Sequence, residues 1–393
     1  MENFEVVIDR SNEFSAKYDE MDMKFGKKDV YSMWVADMDF EVAPVISEAI
    51  EKRAKQKIYG YTTRPDSYYE AMCNWYKRRY DFNIEKEWLI HSPGVVTSLG
   101  VLIKELTEPG DQVIIQSPVY YPFFDSVVLN GRTLVDCPLI PNGLDYRMDF
   151  DLIEEKAKNA SFLILCNPHN PVGRVWTQEE LETLAAICLK HQVRIISDEI
   201  HGDLVFDNNR YMPMATLSEE VADITVTCLS ATKSFNLAGL QASFIVAPRE
   251  ADYKKIESVF TILDLKRNNC FSLVAVEAAY SQGEPWLESM VAYVKGNMDF
   301  VVKYCSEHIP MLKPNTPEGT YLQWIDCSVL KLEDDALRTF MIEEAGIALN
   351  IGTGFGETGS GFVRLNLACP RNIVEGAMKS LKRAVNKHIG MEA

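Results

Sequence analysis

SFLILCNPHNPVGRVWTQEELETLAAICLKHQVRIISDEIH, residues 161–201, holds the pattern that decides the fold class. Residues 162–166 and 193–197 are short, continuously apolar runs. A strand with one wet face would alternate polar and apolar residues, so these read as strands covered on both faces. Between them Thr177 is followed three residues later by Glu180, the signature of a capping box, and a helix is expected from there to about His191. Strand, helix and strand in close succession make the right-handed crossover of an α/β sheet.

The pattern repeats on either side. Further strands are expected at 112–116, 224–229 and 242–247. A helix follows Ser92-Pro93-Gly94, with Val95, Leu99, Leu102, Ile103 and Leu106 at helical spacing. Beyond Trp286 the texture changes: a long helix through Val301, then strands at 320–325 and 361–367 flanking a helix at 334–344, then an amphipathic helix at 371–388. The expected architecture is α/β, a large domain with a mostly parallel sheet and helices on both faces, plus a smaller α+β domain. The boundaries are 46–285 for the large domain and 286–393 for the small one, with 1–45 packing against the latter.

Composition narrows the function. Fifty-seven acids against 40 bases give a net charge of −17, which disfavours nucleic acid as a partner because phosphate binding wants clustered Lys and Arg. Nine cysteines, an odd number with no C-x-x-C pair, fit a reducing compartment, and six histidines without ligand spacing give no metal site. The opening MENFEVVIDRSNEF lacks the apolar core of a signal peptide, and no apolar run is long enough to cross a bilayer. A cytoplasmic protein is expected.

In an open α/β sheet, ligands bind beyond the carboxyl ends of the strands. After the expected strands come Tyr120-Tyr121, then Asn167 to Gly173, then Asp198-Glu199-Ile200-His201, then Ser230-Ala231-Thr232-Lys233. A lysine amine condenses with an aldehyde and can later act as a base. A buried carboxylate keeps a pyridine nitrogen protonated, and a flat aromatic stacks on the ring. The helix start at Gly94-Val95-Val96-Thr97 offers backbone amides to a phosphate. Together these residue types suit pyridoxal 5′-phosphate chemistry.

The motifs Trp34 to Phe40 (WVADMDF), Tyr59-Gly60-Tyr61, Asn167 to Gly173, Asp198-Glu199-Ile200-His201, Ser230 to Leu240 and Phe362 to Asn366 (FVRLN) follow one another along nearly the whole chain. In this order the sequence resembles the fold-type I pyridoxal-phosphate enzymes of the class I/II aminotransferase superfamily. More narrowly, it is similar to the MalY/PatB-type carbon–sulfur β-lyases, the cystathionine β-lyase and cystalysin group. The resemblance implies that Lys233 carries the cofactor as a Schiff base and shuttles the substrate proton. It implies that Asp198 meets the ring nitrogen and that Asn170 meets the ring oxygen. His201 falls where relatives often place a tyrosine that reaches the same oxygen. Tyr120 would stack on the ring and Tyr121 would lie close to the substrate. Val95, Val96 and Ser230 would hold the phosphate, and Arg364 the substrate carboxylate. Tyr61 would reach into a partner's site, which implies a homodimer with shared active sites.

One position departs from the aminotransferase pattern. Eight residues after Lys233, where many true aminotransferases hold the phosphate with an arginine, this chain has Gln241. The lyase subgroup lacks that arginine too. The expected activity is therefore α,β-elimination from a small sulfur amino acid such as cystathionine or cysteine, giving thiol, pyruvate and ammonia. The alternatives are an aminotransferase, which would use the same residues, and a regulatory protein with incidental lyase activity.

Overall fold

The computed structural model describes residues 3–390. Leu89–Ser92 (β1), Gln112–Ile115 (β2), Thr133–Asp136 (β3), Ala160–Cys166 (β4), Arg194–Asp198 (β5), Thr225–Leu229 (β6) and Ser243–Val246 (β7) form one sheet in the order β1-β7-β6-β5-β4-β2-β3. Every neighbouring pair is parallel except the two made by β7. Where the sequence reading expects strands, the observed ends differ by at most two residues. It misses β1 and β3, the two edges of the sheet. β1 is apolar only at Leu89 and Ile90 before the buried polar His91 and Ser92, and no residue of β3 is fully buried, so neither carries the continuous apolar signal of a central strand.

The central strands bury both faces. Val113, Ile115, Ile164 and Ile196 enter one core, while Ile114, Leu163, Leu165 and Ile195 enter the core on the other side. This two-sided burial is why their runs are unbroken rather than alternating. The helix Gln178–His191 joins β4 to β5, and its capping box is present: Glu180 N–H donates to Thr177 Oγ1 at 3.2 Å, and Thr177 N–H to Glu180 Oε2 at 2.9 Å.

A second sheet is built from Lys313–Pro314 (β8), Leu322–Asp326 (β9), Asn350–Ile351 (β10) and Phe362–Asn366 (β11), antiparallel in the order β8-β9-β11-β10. The helices Glu284–His308 and Arg371–His388 pack together beside it. The helix expected at 334–344 is α-helical only over Asp334–Thr339 and widens into a π-helical turn at Phe340–Glu344. The N-terminal segment does own a short piece of sheet: Tyr31–Ser32 pairs in parallel with Ile347–Ala348, tying it to the small sheet's side of the molecule. Of the expected domain ranges, residues 1–2 and 391–393 lie outside the described residues.

Candidate active site

The carboxyl ends of β1, β4, β5 and β6 open on one cavity of about 300 Å³, with Lys233, Asp198, Asn170, Tyr120 and His201 in its walls. The pairing of Cys166 with Asp198 across β4 and β5 sets the carboxylate beside the turn that carries Asn170. After β6 the chain enters a short helix, Ala231–Ser234, capped by Ser230, whose Oγ accepts from Thr232 N–H at 3.0 Å. That turn presents Lys233 to the cavity. On the opposite wall the helix Val95–Leu106 begins at Gly94 with no side-chain cap. Its first N–H groups have no partner inside the helix.

Burial governs the charges here. Lys233 Nζ donates to the Ala36 carbonyl at 2.6 Å. Burial lowers its pKa to about 8, with Arg364 pushing the same way and Asp37 and Asp198 opposing. Asp198 accepts a single hydrogen bond, from Ile200 N–H at 3.2 Å, and burial raises its carboxyl to about 7. Its neighbour Glu199 is satisfied elsewhere, accepting from Ser197 Oγ at 2.7 Å, Met214 N–H at 2.9 Å and the Tyr211 hydroxyl. His201 is held neutral, its pKa lowered to about 3 by burial and then by Lys233 and Arg364; its Nδ1 is buried without a partner.

Arg364 comes from β11, in the other sheet. Its Nη1 donates to Asn170 Oδ1 at 3.0 Å, and its Nη2 to Asn350 Oδ1 at 2.7 Å and to the Trp34 carbonyl at 3.1 Å. The guanidinium lies 4.7 Å from the Phe355 ring centroid, and its Nε is buried without a partner. Burial pulls its pKa down to about 10.

Residues 34–40 run as a strap over the cavity, and both sheets' sides hold it by its backbone. Asn236 Nδ2 donates to the carbonyls of Met38 and Phe40 at 3.0 Å each, and its Oδ1 accepts from Met38 N–H at 3.0 Å. Asn366 Nδ2 donates to Val35 O at 2.6 Å and Asp37 O at 2.5 Å, and Tyr321 Oη to Ala36 O at 2.8 Å. Outside it, Asp37 and Asp39 pair with Arg10 at 2.8 and 2.7 Å, and Asp39 pairs with the buried Lys17 at 2.7 Å.

The structure thus brings Lys233, Asp198, Asn170, Tyr120, His201, Val95 and Val96 to one cavity, with Arg364 hydrogen-bonded to Asn170. Three expected residues sit differently. Ser230 does not reach the cavity, because its hydroxyl is used within its own turn and on the Ala242 carbonyl at 2.7 Å; Thr232 lines the wall instead. Tyr121 is half exposed and lies at an adjoining opening. Tyr61 is 93% exposed, with Arg267 5.0 Å over its ring, and does not touch the cavity of its own chain. Sequence reasoning misses Asn350, Phe355, Asn236 and the Ala36 carbonyl. Only Asn236 leaves a local trace, a left-handed backbone (φ 57°), which asparagine tolerates better than most residues.

These residues fit pyridoxal phosphate. Asp198 is a buried acid short of partners, which a protonated pyridine nitrogen would supply. The amides of Val95, Val96 and Thr97, which have no partner inside the helix, suit a phosphate. Asn170 spends its oxygen on Arg364, leaving its amide nitrogen for a ring oxygen.

A family model described as aminotransferase class I and II matches residues 28–381. The chain is 39% identical to the cystathionine β-lyase PatB of Bacillus subtilis (strain 168), over 98% of this chain and 100% of that protein. Two solved structures resemble it throughout. A pyridoxal-phosphate-bound protein from Clostridium difficile 630, provisionally named an aminotransferase, gives a TM-score of 0.97 at 51% identity, covering 98% and 100% of the two chains. Cystalysin from Treponema denticola, which contains pyridoxal 5′-phosphate, gives 0.96 at 33% identity, covering 98% and 99%.

Proposed function

This chain belongs to the aminotransferase class I and II family, and from that premise we infer a pyridoxal-phosphate-dependent carbon–sulfur β-lyase. The observation that carries the chemistry is a buried lysine of lowered pKa sharing a cavity with a partner-poor carboxylate and lying within the field of a buried arginine. The cofactor supplies an aldehyde for the substrate amine and a ring that accepts the electron pair left on Cα.

The chain's own residues do the rest. Arg364, which has its Nε–H and one Nη1–H to spare, binds the substrate carboxylate and so fixes the Cα–H bond toward Lys233. Lys233 Nζ takes that proton; a lysine pKa of about 8 leaves part of the amine free near neutral pH, as a base requires. The Cβ–S bond then breaks, sulfur leaves with the bonding pair and picks up a proton, and the three-carbon enamine hydrolyses to pyruvate and ammonia. Asp198 would keep a proton on the cofactor's ring nitrogen, Asn170 would donate to its ring oxygen, and Tyr120 would pack on the ring. Val95, Val96 and Thr232 would hold its phosphate at the helix start. His201, held neutral, offers a ring nitrogen to the cavity without adding charge.

The substrate is a small sulfur amino acid such as L-cystathionine or L-cysteine. The functional unit is a homodimer in which Tyr61 serves the neighbouring site; its full exposure supports this. All nine cysteines are free and, among the described residues, no helix is long and apolar enough to cross a membrane, which supports a cytoplasmic enzyme.

The aminotransferase reading is supported by the name given to the Clostridium difficile structure and by the family's own description. Supplying L-cystathionine without any keto acid separates the two. A lyase releases pyruvate and thiol continuously. Turnover only when a keto acid is added, with no thiol, would make the protein an aminotransferase.

A further inference from the structure

A second cavity, of about 380 Å³, adjoins the catalytic one. The wall between them is the carboxylate clamp. Asn350, which accepts from Arg364, and Phe355, whose ring faces Arg364, both line the second cavity. Tyr121 lines it as well, and its ring lies 5.2 Å from that of Tyr120 in the first. A substrate held by Arg364 therefore has this space next to it.

The charge of the opening is unusual for this chain. Acids outnumber bases 57 to 40 overall, yet the walls carry two bases, Arg338 and Lys24, and no acid. Lys24 is shared with Glu20 at 3.5 Å. Arg338 has no carboxylate partner among the described residues. It spends one donor on the Lys24 carbonyl at 2.6 Å, and its guanidinium lies 5.6 Å from the Phe25 ring centroid. Four of its five N–H groups are left, on a side chain already held in place. Leu349 and Ile351 add apolar surface to the same walls.

A cavity bordered by the α-carboxylate clamp, with apolar side chains and an arginine that has no carboxylate partner in its walls, matches a thioether amino acid whose leaving group bears its own carboxylate. We propose that Arg338, assisted by Lys24, is a subsite for the distal carboxylate of such substrates, of which L-cystathionine is one. The proposal rests on the lyase reading and adds a preference to it: two-headed thioethers over S-alkyl cysteines. The methylenes beyond sulfur lie along Leu349 and Ile351, and the distal carboxylate meets Arg338.

The test compares L-cystathionine with S-ethyl-L-cysteine, which lacks the distal carboxylate, in the holoenzyme and in Arg338→Gln, Arg338→Lys and Lys24→Gln. Losing one charge-assisted hydrogen bond at an exposed rim should lower the ratio of kcat/KM for cystathionine to that for S-ethyl-L-cysteine about five- to tenfold in Arg338→Gln. The loss should appear in KM, be partly restored in Arg338→Lys, and be smaller in Lys24→Gln. A ratio that stays constant, even if both activities fall together, overturns the subsite. If the wild-type protein releases thiol from neither compound, it is the lyase reading that fails. Titration calorimetry of both compounds on the Lys233→Ala holoprotein, which cannot turn over, then decides the subsite. Equal affinity for the two would overturn it, and tighter binding of cystathionine that disappears with Arg338→Gln would support it.

Discussion

Arg364 shows how much one residue can do from a distant strand. It reaches Asn170 in the large sheet's turn, Asn350 beside it and the strap at Trp34, so it fixes three elements, beyond the substrate role proposed for it. Arg364→Ala should raise KM and lower kcat together, because a misplaced Cα–H bond costs near-attack geometry; steady-state kinetics should show a combined loss on the order of a hundredfold. Arg364→Lys should rescue little, since an ammonium cannot make the paired bonds. A different residue reports on pH. His169 is buried, donates from Nε2 to the Pro118 carbonyl at 2.9 Å, and has its pKa lowered from 6.5 to about 4 by burial. It stays neutral in the fold while the unfolded chain takes up a proton below pH 6.5. Its contribution to stability is therefore full above pH 6.5 and is lost as pH falls toward 4. His169→Gln should be the less stable protein at pH 8, and urea titrations should show the gap narrowing by up to about 3 kcal/mol by pH 4. A gap independent of pH would contradict this.

Among the elements, the strap at 34–40 is the one whose conformation depends most on others. It has little secondary structure and is held by carbonyl contacts from Asn236, Asn366 and Tyr321 and by the ion pairs on Asp37 and Asp39. Lys17 is 1% exposed and Asp39 is 5% exposed, so removing Lys17 leaves the buried Asp39 carboxylate to Arg10 and opens a gap where a buried ion pair stood. Lys17→Met should cost about 2 kcal/mol in chemical denaturation. Because Ala36 in the same strap accepts from Lys233, the variant should also lose activity under conditions where it remains folded. An active, equally stable Lys17→Met protein would show that the pairs do not hold the strap.

At the scale of the whole molecule, the stretch around Tyr61 calls for a partner. Ile58, Tyr59 and Tyr61 are 75, 60 and 93% exposed, a run of large apolar side chains that a solitary chain would leave in water. Sedimentation should give a dimer. Mixed dimers of Tyr61→Phe and Lys233→Ala subunits then test the shared site. If Tyr61 acts across the interface, one site of each heterodimer carries both lesions and the other neither, so activity returns to about half that of the wild type. No recovery would place Tyr61 in its own subunit's site.

What could be read from the chain follows from range. Runs such as 162–166, flanked by a capped helix, state their environment locally, because two-sided burial requires unbroken apolar residues and Thr177 with Glu180 closes its own helix end. Lys233, Asp198 and Asn170 were legible for the same reason: each stands directly after such a strand. The edges β1 and β3 were not, since half of the buried β1 is polar (His91, Ser92) and no residue of β3 is fully buried. Nor was the role of Ser230, a plausible phosphate ligand by position whose hydroxyl the tight turn claims for itself, leaving Thr232 on the wall. Arg364 was legible as a motif, but only the tertiary structure joins it to Asn170, Asn350 and the strap, 194, 14 and 330 residues away along the chain. The sequence by itself determined the strand ends and their chemistry, because those depend on neighbours in the chain. The Ala36 carbonyl under Lys233 and the two bases beside the clamp were decided by packing between distant segments, which no local pattern records.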